Sequence, residues 1–480
     1  MEHYLNLVDG RWTGDPVNPD TSPSDPRDVL GLACRSEAST VDEAAAAARR
    51  AQPGWADQPV TVRAEVLHRA AARVEAERAD LARTLAREEG KTLAEATAEV
   101  SRTAATLRYY AAEVLRPVGE VFHGLQPGTR VHTVHRPVGV VGVITPWNFP
   151  AAIPAWKVAP ALAYGNAVVL KPAELVPATV TRLVAILHES GLPDGVLNLV
   201  HGPGSTVGAR IAECPDIDAV TFTGSTAVGS ELAAVAVTHG LKKVQLEMGG
   251  KNALVVMPDA DLDAAARAAC DGAFAATGQR CTASSRLVVH EEVHDAFVER
   301  LIALMADVVV GGALDPGTTM GPVVSADQLA ADVAAIDAAG AAGATLAAGG
   351  DLLPGPGHLL RPTLFTDTSG DLPLNQEEVF GPVAAVIRVS DYEEALAVVN
   401  DSSVGLSGGI FTSSLPVAAD FQRRCQAGMV MVNRSTAATD LHVPFGGLKG
   451  SSHGPREQGG AARDFYTTIS TVYTAGVAPW

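Results

Sequence analysis

The chain has 480 residues, which is long for one ordinary hydrophobic core, so two or three domains are expected. Its 36 basic and 54 acidic residues leave a net charge of −18. That excludes a nucleic-acid partner, which needs a basic surface, and favours a soluble protein. The opening run Met1-Glu2-His3-Tyr4-Leu5-Asn6 has no basic leader before an apolar stretch, so no signal peptide is expected. The apolar run 138–144 is too short for a bilayer and is soon followed by Pro146, so no membrane partner is expected and the expected compartment is the cytoplasm. The five cysteines form no CxxC pair, which fits reduced thiols. The thirteen histidines are read as giving no metal set.

The first thirty residues read as strand, turn and a Pro/Asp-rich loop. Residues 41–52 form an Ala-rich helix opened by Ser39 or Thr40. Residues 61–87 carry a long amphipathic pattern through Val62, Val66, Leu67, Ala70, Val74, Leu81 and Leu85. Residues 91–112 form another helix; these helices are expected to cover a sheet and to carry no chemistry. Residues 118–135 contain Gly119, Gly124, Pro127 and Gly128 and read as a hairpin.

From residue 138 short apolar strands alternate with helices. The strands 138–144, 167–170, 196–200 and 219–222 end in Thr145-Pro146-Trp147-Asn148-Phe149-Pro150, Lys171-Pro172-Ala173-Glu174, Gly202-Pro203-Gly204 and Thr223-Gly224-Ser225. This rhythm predicts a parallel sheet with helices on both faces and a ligand site at the carboxyl ends of its strands. A helix is expected from Ser205. A second α/β pattern begins near Lys251, with strands at 253–257, 286–289, 383–389 and 429–432. The Ala-rich run 330–348 is helix-compatible. The tail 467–473 reads as an edge strand, and an unpaired edge needs a partner, expected to be a neighbouring subunit.

Two fragments stand out for chemistry. Gly278-Gln279-Arg280-Cys281-Thr282 puts a cysteine among small and polar neighbours, after a glycine that permits a turn and beside an arginine that would favour the thiolate. Leu246-Glu247-Met248-Gly249-Gly250-Lys251 sets a carboxylate, a possible general base, beside paired glycines. Asn148, on a strand-end loop, is a possible oxyanion donor, with the Cys281 backbone N–H as a second. Read singly, Cys281 is also a small buried hydrophobe, Asn148 a turn cap and Glu247 an ion-pair partner. No GxGxxG follows the first strand. The loop Gly224-Ser225-Thr226-Ala227-Val228-Gly229 lies between a strand and a helix start, where free N–H groups suit a pyrophosphate, although such loops are often plain turns.

Taken together and in this order, the motifs resemble the aldehyde dehydrogenase superfamily over nearly the whole chain. The resemblance implies that Cys281 is the nucleophile, Glu247 the base and Asn148 the oxyanion donor. It sets Lys157 near the active site, where read alone it is a solvated charge. It implies NAD(P) as cofactor, with Lys171 and Glu174 at the adenosine ribose, Glu378 at the nicotinamide ribose with Phe380 close by, and Gly208, Gly224, Ser225 and Gly229 among the binding positions. Trp147, Phe149, Trp156 and Phe445 match positions lining the nicotinamide and substrate tunnel; core packing is the plain alternative. The presence of Glu247 favours release of a free acid over acyl transfer to coenzyme A.

The tract 278–286 and the C-terminal Pro444-Phe445-Gly446-Gly447-Leu448-Lys449, Ser451-Ser452-His453 and Arg456-Glu457-Gln458-Gly459 are closest to the 2,5-dioxopentanoate (α-ketoglutarate semialdehyde) dehydrogenases. Some of those carry an Arg shortly after the TPWNFP motif, where this chain has Ala155-Trp156-Lys157. Arg280, with Thr282 beside it, is then the expected anchor of the substrate carboxylate, with Arg434 second, although Arg280 could equally sit in an ion pair.

The expected architecture is α/β: a modified Rossmann dinucleotide domain (1–117 and 136–246), an α/β catalytic domain (247–450), and a small β oligomerisation element (118–135 and 462–480). The expected assembly is a homodimer or homotetramer. The expected reaction is oxidation of a small aldehyde with NAD preferred and NADP possible. A cofactor-free thiol hydrolase and a catalytically silent binding protein are the rival readings.

Overall fold

The apolar runs between residues 138 and 247 supply five strands of one eight-stranded sheet. The structure is a computed structural model and describes residues 1–116 and 119–475. Positions 117 and 118, at the expected boundary of the hairpin element, and 476–480, its expected C-terminal end, lie outside the described residues. The sheet runs in the order Ser452–His453, Lys243–Glu247, Ala219–Thr223, Val140–Ile144, Ala167–Lys171, Leu197–Leu199, Asn6–Val8, Arg11–Thr13. Its central strands are buried throughout, as apolar runs covered on both faces require. The chain starts at Val140–Ile144, adds strands on one side, then crosses to the other at Ala219–Thr223. The topological switch lies between those two strands, so Thr145-Pro146-Trp147 and Thr223-Gly224-Ser225 meet at one edge. Parallel pairing of Thr223 with Glu247 carries Glu247 to that same edge.

A second, seven-stranded sheet has the order Thr345–Ala348, Thr363–Thr368, Val383–Val389, Arg286–His290, Ala253–Val256, Ser407–Phe411, Met429–Val432. A third sheet joins Val121–His123, Thr129–Pro137 and Thr467–Ala475. The tail is an edge strand, as expected, but it is not isolated. The C-terminal strand finds its partner within its own chain, pairing antiparallel with Thr129–Pro137 with Ile469 opposite His135. In the sheet order its other edge stays unpaired.

Several boundaries differ from the periodicity. The pattern at 61–87 is two helices, Val60–Ala76 and Arg78–Glu89, parted at Glu77. The first helix, Ala38–Ala56, opens at Glu37, which takes an extended conformation, so Ser39 and Thr40 fall inside its first turn. In place of a long helix from Ser205 there is a π-type turn, Gly204–Gly208, and a short helix, Ala209–Glu213. The Ala-rich run ends as a helix, Ala326–Ala341, and continues as a strand, Thr345–Ala348. Among the described residues no helix is long and apolar enough to cross a membrane.

The helix Leu93–Glu113 begins with a capping box between Thr92 and Glu95. It carries a fully buried ion pair: Lys91 Nζ lies 2.6 Å from Glu99 Oε2 and also donates to Asn148 O at 2.7 Å. The other oxygen, Glu99 Oε1, accepts from the backbone N–H groups of Ala151 (2.8 Å) and Ala152 (3.0 Å). Burial alone would depress the Lys91 pKa, but the carboxylates of Glu89 and Glu99 more than offset it and hold the ammonium charged. Replacing Glu99 by Ala leaves the buried ammonium with only the more distant Glu89 carboxylate, 3.8 Å away, and leaves two helix-end N–H groups without an acceptor. It is expected to cost about 3–5 kcal/mol, the usual loss when one partner of a buried pair is removed, read as a lower urea midpoint.

Candidate active site

The nucleophile candidate follows a strained turn. After the helix Leu262–Phe274 the backbone passes through Ala276, Thr277 and Gly278 with φ of 50, 57 and 68°. Successive left-handed residues are unfavourable, and a β-branched Thr in that region is an outlier. The turn is held from outside. Ala276 N donates to Glu95 Oε1 at 2.7 Å, Thr277 Oγ1 to Gly321 O at 3.1 Å, and Val324 N to Gln279 Oε1 at 3.0 Å. A Cβ on Gly278 would lie 2.2 Å from Gly381 O, so glycine is required by space as well as by φ. Beyond the turn, Asn252 Nδ2 donates to Cys281 O at 2.8 Å and Thr436 Oγ1 to Thr282 O at 2.8 Å.

Cys281 is half-buried, and its thiol is pushed well above the usual range by burial, then by the carboxylates of Glu378 and Glu247. Its own backbone N–H pulls the other way without offsetting them. The expectation that Arg280 holds the thiolate is therefore corrected: in this arrangement the thiol rests neutral.

Asn148 Nδ2 donates to Gln279 O at 2.9 Å, and its Oδ1 is buried without a partner. Glu247 closes its strand beside Ser452, whose Oγ donates to Glu247 Oε2 at 2.5 Å; Oε1 is buried and unpartnered. Burial and, next, the nearby Glu457 carboxylate raise the Glu247 pKa well above the ordinary carboxylate value. Lys157 is fully buried on the helix Ala152–Ala163 and is paired with Glu457, donating also to Thr221 Oγ1 at 2.8 Å. It is not among the residues lining the pocket at Cys281. Ser452 and Glu457 had no assigned role in the sequence reading; only pairing with the Glu247 strand and with Lys157 discloses them.

A pocket of about 260 Å³ opens at Cys281 and is lined by Phe149, Trp156, Arg280, Thr282 and Phe445, which brings together all the expected substrate contacts. Trp156 and Phe445 pack with ring centroids 5.7 Å apart. The helix Leu93–Glu113, expected to carry no chemistry, also lines it through Glu95, Ala98, Glu99 and Arg102. That expectation is corrected: these residues recur at helical spacing on one face, and the charged ones point inward because each has buried partners. Arg434 is exposed and is not part of the pocket lining.

The expected cofactor residues gather at the carboxyl edge of the first sheet and across from it. Trp147 and Phe380 meet edge to face at 5.3 Å. Glu378 Oε1 accepts from Gly250 N at 2.9 Å, and burial lifts its pKa to about 7. A Cβ on Gly249 would lie 2.2 Å from Glu378 Oε2. Lys171, buried at its strand end with its pKa lowered to about 8 by burial, donates to Pro172 O, and Glu174 is exposed. A Cβ on Gly208 would approach Lys171 Cδ to 3.8 Å; one on Gly224 would strike the Phe222 ring and one on Gly229 Met248 Sδ. Ser225 caps the helix Thr226–Thr238, accepting from Val228 N. The hydroxyls of Thr145 and Thr223, at adjacent central strand ends, are buried and without partners. Unspent hydroxyls at a switch point, a helix start and a carboxylate across the crevice fit a dinucleotide.

One motif escaped the sequence reading. His290-Glu291-Glu292-Val293-His294 has the letters of the HExxH zinc pattern. Zinc binding needs both histidines on one helical face, but His290 ends the strand Arg286–His290 and His294 begins the helix His294–Ala306. His294 Nδ1 is engaged with Asp295 and Arg388, and among the described residues no three His, Cys, Asp or Glu side chains are grouped to hold a metal.

The profile of the aldehyde dehydrogenase family matches residues 13–472. The chain is 43% identical over 478 residues to the alpha-ketoglutaric semialdehyde dehydrogenase of Bacillus subtilis, covering 98% of each chain. It is 44% identical over 479 residues to the alpha-ketoglutarate semialdehyde dehydrogenase of Haloferax volcanii, again covering 98% of each. The crystal structure of an NAD-dependent aldehyde dehydrogenase from Sinorhizobium meliloti superposes with a TM-score of 0.96 at 34% identity, covering 100% of this chain and 96% of the other. With the fold and the sequence in agreement over nearly its full length, the chain belongs to the aldehyde dehydrogenase family and is an NAD(P)-dependent aldehyde dehydrogenase.

Proposed function

We propose that this enzyme oxidises a small anionic semialdehyde, such as 2,5-dioxopentanoate to 2-oxoglutarate, with NAD the preferred acceptor. One observation carries the substrate class. Arg280 lines the pocket at Cys281, and among the described residues its side chain has no hydrogen bond or ion pair. An unpaired guanidinium with a buried Nε is costly unless a ligand brings the anion. The activities in the names of the two relatives support the same reading.

In this reading Cys281 Sγ attacks the aldehyde carbon and its proton passes to Glu247, whose Oε1 is unspent. The oxygen that becomes negative is met by the Asn148 amide N–H not used by Gln279 and by the Cys281 backbone N–H. A bound nicotinamide would supply the hydride acceptor, and loss of hydride from that carbon would leave a thioester on Cys281. Once Glu247 has passed that first proton to solvent, its carboxylate takes a proton from the water that releases the acid. Glu378 would hold the nicotinamide ribose, and Lys171 and Glu174 the adenosine ribose. Lys157, paired with Glu457, acts by fixing its helix relative to the Glu247 edge rather than by touching substrate.

Cys281→Ala is expected to abolish the rise in absorbance at 340 nm while cofactor still binds; turnover in that variant would end the covalent mechanism. Because burial raises the Glu247 pKa, its basic form is reached only at higher pH. The kcat profile should therefore climb through an apparent pKa above the ordinary value of about 4.3, and Glu247→Gln should remove that limb.

Glu174 can accept from a ribose 2′-OH and repels a 2′-phosphate, while Lys171 softens the repulsion. NAD is expected to give the higher kcat/KM, with NADP used; a clear preference for NADP would show that Glu174 does not set the choice.

Arg280→Ala is expected to cost about 2–5 kcal/mol in kcat/KM on an anionic semialdehyde, as truncation of a buried charge pair does. The loss should greatly exceed that on a neutral aldehyde of equal length. Equal losses on the two substrates would assign Arg280 to the loop instead.

A further inference from the structure

The pocket at Cys281 holds a second arginine. Arg102 lies one turn after Glu99 on the helix Leu93–Glu113, and its guanidinium sits 6.0 Å from the Trp156 ring. Its terminal nitrogens face neutral acceptors only: Nη1 donates to Thr439 O at 3.0 Å and more weakly to Thr439 Oγ1 at 3.4 Å, and Nη2 to Gln458 Oε1 at 3.4 Å. No salt bridge closes on it among the described residues.

The hydrogen-bond balance of the lining is one-sided. Its buried side-chain atoms without a partner are Arg102 Nε, Trp156 Nε1 and Arg280 Nε, and all three are donors. The acidic members of the wall are already engaged on both oxygens. Glu95 Oε1 accepts from Ala276 N, and its Oε2 accepts from the N–H and the hydroxyl of Thr92. Glu99 Oε1 accepts from Ala151 N and Ala152 N, and its Oε2 from Lys91 Nζ. Buried donors left open are costly, and three of them on residues that line one pocket favour a ligand rich in acceptors. An ammonium end would meet two guanidinium groups and carboxylates that already hold other donors.

We infer that Arg102 and Trp156 are specificity-determining residues that read a 2-oxo carboxylate, and not merely a carboxylate, at the far end of the aldehyde. This rests on the anionic-semialdehyde reading above and narrows it. A carboxylate presents two acceptor oxygens and the adjacent 2-oxo group a third, which matches three open donors. The charged pair supplies attraction to the carboxylate; the neutral indole N–H adds direction without charge.

The test compares kcat/KM for 2,5-dioxopentanoate, for 5-oxopentanoate, which lacks the 2-oxo oxygen, and for pentanal, which lacks the charge as well. The intact enzyme is expected to favour 2,5-dioxopentanoate over 5-oxopentanoate by about tenfold or more, the scale on which buried donors reject an analogue that leaves them unpaired. Arg102→Met and Trp156→Phe should each shrink that ratio by about tenfold. The ratio is internal to each protein, so partial loss of folded enzyme does not alter it, and Trp156→Phe keeps the ring packing if Arg102→Met fails to fold. An unchanged ratio in either folded variant overturns the inference. The preference for 5-oxopentanoate over pentanal in the intact enzyme is a separate number. If it persists while the first ratio does not respond, the anionic reading stands and only the role of Arg102 and Trp156 falls. If it is absent, both fall.

Discussion

Glu95 and Glu99 stand one helical turn apart, and each commits its carboxylate to a different loop. Glu95 accepts from Ala276 N at the start of the cysteine turn, and Glu99 from Ala151 N and Ala152 N just after Asn148. The cysteine loop springs from the second sheet and the asparagine loop from the first, so the pairing within either sheet does not fix their separation. The shared helix does, since residues four apart lie on one face at a fixed spacing. Lys91 completes the clamp by bonding to both Glu99 and the Asn148 carbonyl and by lying 4.0 Å from the centre of the Phe149 ring. This three-residue bracket works together with the direct bond from Asn148 Nδ2 to Gln279 O.

The electrostatics of the reacting centre follow from crowding carboxylates around a buried thiol. Glu247 and Glu378 both act on Cys281, and both have raised pKa values because burial penalises their charged forms. A carboxylate whose folded pKa is raised favours the native state most at low pH, and that contribution is lost as pH rises through the folded value. For Glu378 the window runs from the ordinary value of about 4.3 up to its folded value of about 7. The site therefore holds its groups neutral at rest at some expense to stability near neutral pH. What it obtains is a thiol that stays protonated until a base is in position, and a base made stronger by the same burial.

Much of this was legible in the sequence where local chemistry and chain order agree. The apolar runs ending in polar loops declared the parallel sheet, and the Asn148, Glu247 and Cys281 motifs declared the chemistry in the order the chain presents them. Contacts between elements distant in sequence were not legible. Nothing near Lys157 announces Glu457, and nothing in an Ala-rich amphipathic helix announces that Glu95, Glu99 and Arg102 face a pocket. A hint existed: these charges share a helical face with buried Ala96, Val100 and Thr103 rather than the solvated one. The C-terminal strand was legible as an edge but not its partner, because pairing with Thr129–Pro137 closes a loop of more than three hundred residues. The split at Glu77 and the π-type turn at Gly204–Gly208 depend on packing that periodicity does not report.

Some of the places where local rules fail lie at the site. Ala276 and Thr277 adopt a backbone that neither residue favours, and three donors in the pocket wall go without acceptors. Each such feature lowers stability on its own, so a fold selected only for stability would replace them with glycine and apolar side chains. The turn persists because bonds from Glu95, Gly321 and Val324 over-determine it, and what it secures is the placement of Cys281 beside the pocket mouth. The open donors have no such compensation inside the protein. On the substrate reading proposed above, the ligand supplies their missing partners, and binding restores in the complex the hydrogen bonds that folding left unmade.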